Sequence, residues 1–159
     1  MGRLWQGGAE LQSVTAGVEF TAVRTNAPTL ETSLQRSGAA AWRIGGLAAE
    51  GFTYVYAAAQ GNYFFRFYLY FAALPTSTSI LGGFANGTQN KITIRATSGG
   101  ALQLFNSEDA AQIGSDSSAL NTATWYRVEI NANTTTLSAT TAEAKIDGTT
   151  FASGTVNLA

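Results

Sequence analysis

Residues 63–71, YFFRFYLYF, place seven aromatic rings and one arginine in nine positions, and this run restricts the fold more sharply than any other. In an extended strand, successive side chains point to opposite faces. Tyr63, Phe65, Phe67, Leu69 and Phe71 then form one wholly apolar face. Phe64, Arg66, Tyr68 and Tyr70 form a second face that is aromatic as well. Burying the first face contributes on the order of 10 kcal/mol at ~1.5–3 kcal/mol per large side chain, so it belongs to a core. The second face has three candidate covers. A further layer or loop of the same chain would leave the tyrosine hydroxyls reaching water. A neighbouring protein would suit a surface of Tyr, Phe and Arg, which are enriched at interfaces. Sugar rings stacked in a groove are the third. The residues alone leave all three open.

The rest of the chain repeats the period-two pattern. FTYVY puts Phe52, Tyr54 and Tyr56 on one side. KITIR turns Ile92 and Ile94 inward with Lys91, Thr93 and Arg95 outward, and ALQLF does the same with Leu102 and Leu104. WYRVEI sends Tyr126, Val128 and Ile130 one way and Trp125, Arg127 and Glu129 the other. SGG at 98–100 predicts a hairpin, and so does Asp147-Gly148, because Asp-Gly readily supplies the positive φ angles of a tight turn. Glycines 82, 83 and 87 predict a bend after TSI. Residues 20–40 read as loop, with Pro28 in a turn and LQRSG as a short helical turn, and 131–144 reads as loop followed by strand. About ten to twelve short strands emerge, so the expected fold is all-β, an antiparallel β-sandwich formed by one domain over residues 1–159.

Composition narrows the function. Net charge is −1 and charged residues are 12% of the 159, about half the ordinary usage. That balance argues against nucleic acid and against an anionic membrane surface as partners. Cysteine and histidine are both absent, which removes disulfides, thiolate metal sites, the usual zinc ligands and the commonest general base. The opening MGRLWQGGAELQ lacks the apolar centre of a signal peptide, and no run reaches the ~20 apolar residues that span a bilayer. The expectation is a soluble product made in the cytoplasm.

LNTATWYRVEI (120–130) followed by AKIDGTTFASG (144–154) resembles the laminin-G and concanavalin A-like jelly rolls. The residues that carry the likeness are Leu120, Trp125, Tyr126, Ile146, Asp147 and Gly148. RSGAAAWRI (36–44) is similar to an early strand of such domains, and FFRFYLYFAALP to their long central strand. The opening MGRLWQGGAEL with GVEF is similar to the openings of small jelly-roll proteins carried in phage genomes. The chain departs from the pattern at its end, SGTVNLA, where the resemblance implies further closing strands. Either those strands are compressed or an edge awaits a neighbour, since an exposed edge invites association.

Related glucanases place three carboxylates on one strand face as E-x-D-x-E, where an acid and a nucleophile can flank a glycosidic bond. Nothing here matches. Glu108 and Asp109 stand side by side in a loop, Glu143 and Asp147 lie four apart, and all four read as solvated charges. Calcium, which laminin-G domains often bind, would have Asp109, Asp116 and Asp147, but Asp147 is better explained by its turn and Asp116 by an ordinary polar loop. The phosphate-loop pattern is absent. NGT (86–88) and NTT (133–135) match the glycosylation sequon, which a chain lacking an export signal does not present to that machinery.

The resulting expectation is a non-enzymatic phage virion structural protein without metal or cofactor, decorating a capsid or belonging to a tail. Its partners would be other virion proteins or copies of itself in a homo-oligomer. The alternative is a carbohydrate-binding module or adhesin. Phe64, Arg66, Tyr68, Tyr70, Trp125 and Arg127 are the candidate contact residues in either case.

Overall fold

A computed structural model describes residues 20–45, 50–55, 60–86 and 89–159. The opening stretch, Tyr56, Gly87 and part of the NGT sequon lie outside the described residues. The chain divides into two compact units, residues 1–59 and 60–159, and each is described by itself.

In the first unit, β1 (Ala22–Val23) pairs antiparallel with β4 (Phe52–Thr53), and β2 (Thr29–Glu31) pairs antiparallel with β3 (Ala41–Arg43). A parallel bridge joins Asn26 and Glu50. Its aromatic centre holds Phe20, stacked on Phe52 at 4.9 Å, with the Trp42 ring 4.4 Å from Phe52 and edge-on to Phe20 at 6.0 Å. Phe52 therefore serves as the inward member of FTYVY, while Tyr54 is exposed. Residues 20–40 are not wholly loop, because β1 and β2 fall inside them. LQRSG makes bends rather than a helical turn, and Gly38 at φ 77° supplies a backbone angle that a helix does not use.

The second unit is a β-sandwich of two four-stranded antiparallel sheets. One has the order β12-β11-β10-β5, from β5 (Asn62–Tyr70), β10 (Trp125–Asn133), β11 (Thr140–Ile146) and β12 (Thr149–Val156). The other runs in order as β6 (Ser79–Asn86), β7 (Gln89–Ala96), β8 (Leu102–Asn106) and β9 (Ala111–Ile113). The chain crosses between sheets after β5 and again after β9, which sets β10 beside β5 although about sixty residues separate them. Residues 114–124 return along one end of the sandwich. There Ser117 N–H donates to Leu102 O (2.9 Å), Leu120 N–H to Gly100 O (3.0 Å), and Ala123 N–H to Phe71 O (2.9 Å).

Two of the predicted turns form where the residues place them. Thr97 N–H donates to Ala101 O at 2.9 Å and Gly100 N–H to Thr97 O at 3.0 Å, closing the 97–101 hairpin. Asp147 (φ 51°) and Gly148 (φ 90°) form a two-residue turn with both central angles positive. The Asp147 carboxylate also accepts the Arg127 backbone N–H at 2.8 Å. Gly82 and Gly83 do not form the predicted bend. Both lie inside β6, where the register with β7 slips between Ile80 and Gly82 and leaves Leu81 as the extra residue of a bulge. A side chain at Gly82 would meet Phe65 Cε1 at 2.8 Å, so the bare glycine is what admits the ring from the facing sheet.

Between the sheets lie Ile92, Ile94, Leu102, Leu104, Val128 and Ile130, all fully buried. Phe65, Phe67, Leu69 and Phe84 pack around them. Each large side chain taken from water contributes about 1.5–3 kcal/mol, so this layer dominates the stability of the unit. Thr93, expected outward, does face away from the core but is only 1% exposed. Arg95, two residues along the same face, lies flat over Phe105 (3.4 Å from guanidinium carbon to ring centroid), and Phe105 is the cross-strand partner of Thr93.

Candidate functional site

Strand β5 alternates from Asn62 to Leu69, and Tyr70 at its end is partly buried although it belongs to the even-numbered face. Tyr63, Phe65, Phe67 and Leu69 are partly buried, whereas Asn62, Phe64, Arg66 and Tyr68 are exposed. The second sheet takes the odd-numbered face: Phe84 lies 5.2 Å from Tyr63 and 6.4 Å from Phe65. That sheet therefore does not cover the even-numbered face. Phe64 remains 55% exposed and Tyr68 41% exposed.

Cross-strand register sorts this outer face into rows. Tyr70 stands opposite Trp125, their rings 5.2 Å apart and tilted. Tyr68 stands opposite Arg127. The next row runs Arg66, Glu129, Lys145, Thr150, and the one beyond runs Phe64, Asn131, Glu143, Ser153. The last contains Asn62, Asn133, Thr141 and Thr155. One end of the face is aromatic and the other is hydroxyl, amide and carboxylate. All six predicted contact residues lie on this face along the seam between β5 and β10, with Phe64 at the start of the polar rows.

The member that sequence reasoning left out is Glu129. It is 7% exposed although it points outward. Arg66 donates through Nε at 2.8 Å and lies at 2.6 Å through Nη2, both onto Glu129 Oε1. Arg127 Nε lies 3.4 Å from Oε2, an ion-pair contact outside hydrogen-bond geometry. One carboxylate therefore fixes two arginines, and Arg66 also lies 5.7 Å from the Phe64 ring centroid. The alternation in WYRVEI already placed Glu129 with Trp125 and Arg127. Its pairing with Arg66 depends on strands that meet only in the folded sheet.

Beside the seam lies an open surface depression of 390 Å³ whose lining includes Asn131, Thr141, Glu143, Ser153 and Thr155. Glu143 is held firmly: Thr150 Oγ1 donates to its Oε1 at 2.6 Å, and Lys145 Nζ lies 3.0 Å from its Oε2. Those contacts, the Thr150 hydroxyl first, hold its carboxyl below the usual glutamate range.

The loop carboxylates Glu108, Asp109 and Asp116 are engaged locally. Glu108 pairs with Lys91, Asp109 accepts from Asn106 Nδ2 at 2.8 Å, and Asp116 accepts from Gln103 at 3.0 Å and Gln112 at 2.7 Å. Among the described residues, no three or more His, Cys, Asp or Glu side chains are grouped to hold a metal ion. Nor is any helix among them long and apolar enough to cross a membrane. Comparison with family models, curated proteins and solved structures gave no match.

Proposed function

We propose that this chain is a non-enzymatic virion structural protein: a jelly roll of the concanavalin A/laminin-G kind that decorates a capsid or belongs to a tail. It acts through protein–protein contacts made by the β5–β10 seam. The observation that carries the reading is an outward sheet face with Phe64 and Tyr68 about half exposed beside two arginines fixed by one buried carboxylate. Aromatic and arginine side chains are the groups that interfaces concentrate. Held rigidly, they lose little conformational freedom on docking. Chain crossing between two antiparallel sheets supports the jelly-roll part. The likeness of the opening stretch to phage-borne jelly rolls supports the virion part, and the neighbour on the seam is another virion protein or a second copy.

Particles purified from lysed producing cells test this reading by mass spectrometry, with size-exclusion chromatography of the free chain alongside. Peptides of this chain should co-purify with particles, and Tyr68→Asp should be depleted from them while remaining folded. A stable free monomer absent from every particle refutes the proposal.

A further inference from the structure

Strand β5 is also an edge strand. We propose that it pairs antiparallel with β5 of a second copy about a two-fold axis, joining two four-stranded sheets into one of eight. This names the neighbour in the contact reading above and rests on that reading. Among the described residues, β5 has a strand on one side only, β10. The direction of its backbone groups follows from hydrogen bonds on either side of β10. Thr134 N–H donates to Gly61 O at 2.8 Å, and the two stand opposite each other when the β5–β10 register is extended by one pair. On the far side of β10, Arg127 N–H donates to the Asp147 carboxylate and Arg127 O accepts from Asp147 N–H, both at 2.8 Å, so Arg127 turns its backbone groups away from β5. Opposed residues of an antiparallel ladder alternate between bonded and non-bonded pairs. The odd-numbered residues of β5 therefore bond β10, and Asn62, Phe64, Arg66 and Tyr70 turn N–H and C=O to the outer edge.

The four edge strands of the sandwich are not alike. β6 holds Gly82 and Gly83 and slips register with β7 twice. β9 has three residues. A side chain at Gly114 would meet the Ser153 backbone nitrogen at 3.0 Å, so the chain leaving β9 lies against β12. β5 runs nine residues without a proline, a glycine, a lysine or a register shift, and those are the devices that blunt a long edge. Its single charge, Arg66, is already paired with Glu129. A second β5 fits this edge because the bonding pattern of an antiparallel strand is self-complementary under a two-fold rotation. Outward groups on even-numbered residues require even-to-even pairing. Full overlap would set Arg66 against Arg66 of the second copy, and like charges directly opposite are destabilising. Sliding by two residues sets Arg66 against Phe64 or Tyr68 of the second copy instead, a guanidinium beside an aromatic ring. Arg66 already lies 5.7 Å from the centroid of its own Phe64 ring.

Sedimentation velocity of the full-length chain, from low micromolar to near millimolar, reads the assembly state, and amide hydrogen exchange followed by NMR reads the edge. The wild type should be a dimer at the upper concentrations. In the dimer the amides of Phe64, Arg66 and Tyr70 should exchange at least about tenfold more slowly than in the monomer, while those of Phe65 and Phe67, bonded to β10, are protected in both. Phe64→Lys places a charge at an exposed position of the edge and should give a monomer. Ile80→Lys, at an exposed position on edge strand β6, should leave the dimer intact. Well-dispersed spectra show that each variant is folded, and dilution of the wild type gives the same comparison without a substitution. A monomer at every concentration overturns the proposal. So does a dimer that Phe64→Lys leaves intact, or one whose Phe64, Arg66 and Tyr70 amides exchange at the monomer rate. Co-purification with particles stays the separate test of the virion reading, so a monomer that still co-purifies overturns the pairing alone.

Discussion

Replacing Arg66 with alanine tests the electrostatics of the β5–β10 seam. Glu129 has a side chain only 8% exposed, and Arg66 makes both short contacts to its Oε1. Arg127 alone remains afterwards, at 3.4 Å and without hydrogen-bond geometry. If the pair behaved like an ordinary surface ion pair, the cost would be about 0.2–1 kcal/mol. Breaking a fully buried pair costs about 3–5 kcal/mol, because a charge is left unpaired away from water. The seam falls between these limits. The carboxylate is buried, but the Arg66 side chain is 49% exposed, so water enters part of the space it leaves. We expect Arg66→Ala to cost about 2 kcal/mol, equivalent to a Tm drop of roughly 10 °C for a unit of this size. Adding Glu129→Ala removes the stranded charge. The double variant should therefore lose at least about 1 kcal/mol less than the two single losses added together. Urea unfolding followed by circular dichroism measures all four proteins. A single-variant loss below about 0.5 kcal/mol, or strict additivity in the cycle, refutes the reasoning.

Gly82→Ala should cost about 1–3 kcal/mol, because the new methyl group stands 2.8 Å from Phe65 Cε1 and forces the ring or the bulge to move. Thermal unfolding checks it, with Gly99→Ala as a control whose added carbon meets nothing closer than 3.8 Å. Thr150→Val should raise the titration midpoint of Glu143, since the Thr150 hydroxyl is the largest cause of its lowering. In the wild type the folded value lies below the unfolded one. The stability that this carboxylate contributes is therefore present above the unfolded value and lost as pH falls through the folded one. Carboxyl ¹³C NMR against pH reads both proteins, and identical midpoints would contradict the hydrogen bond.

What could be read from the residues was local. Alternation in 63–71, 91–95, 101–105 and 125–130 assigned the core faces, because a strand reverses its side chains at every step. Asp147-Gly148 was legible because few residue pairs accept positive φ twice in succession. Non-local arrangement was not. The pairing of Glu129 with Arg66 follows from β5 lying beside β10, and the contact of Arg95 with Phe105 from β7 lying beside β8. The glycines of β6 resembled a turn because their role, making room for Phe65, belongs to the opposite sheet. In the first unit, strands of two or three residues are too short for periodicity to register. Alternation placed Phe64, Arg66, Tyr68 and Tyr70 on one face of β5 and Trp125 and Arg127 on one face of β10, and only register brings the two sets together. The Phe64–Asn131–Glu143–Ser153 row was hidden because its members come from four strands and only register aligns them.

The central claim is that one face of the 63–71 strand is core and the other is presented for contact. Hydroxyl-radical footprinting of the free chain, read residue by residue by mass spectrometry, tests it without any substitution. Fast oxidation of Phe64 and Tyr68 with protection of Phe65, Phe67 and Phe71 is the predicted pattern. Equal protection of all five rings, or faster oxidation of the odd-numbered ones, would contradict it.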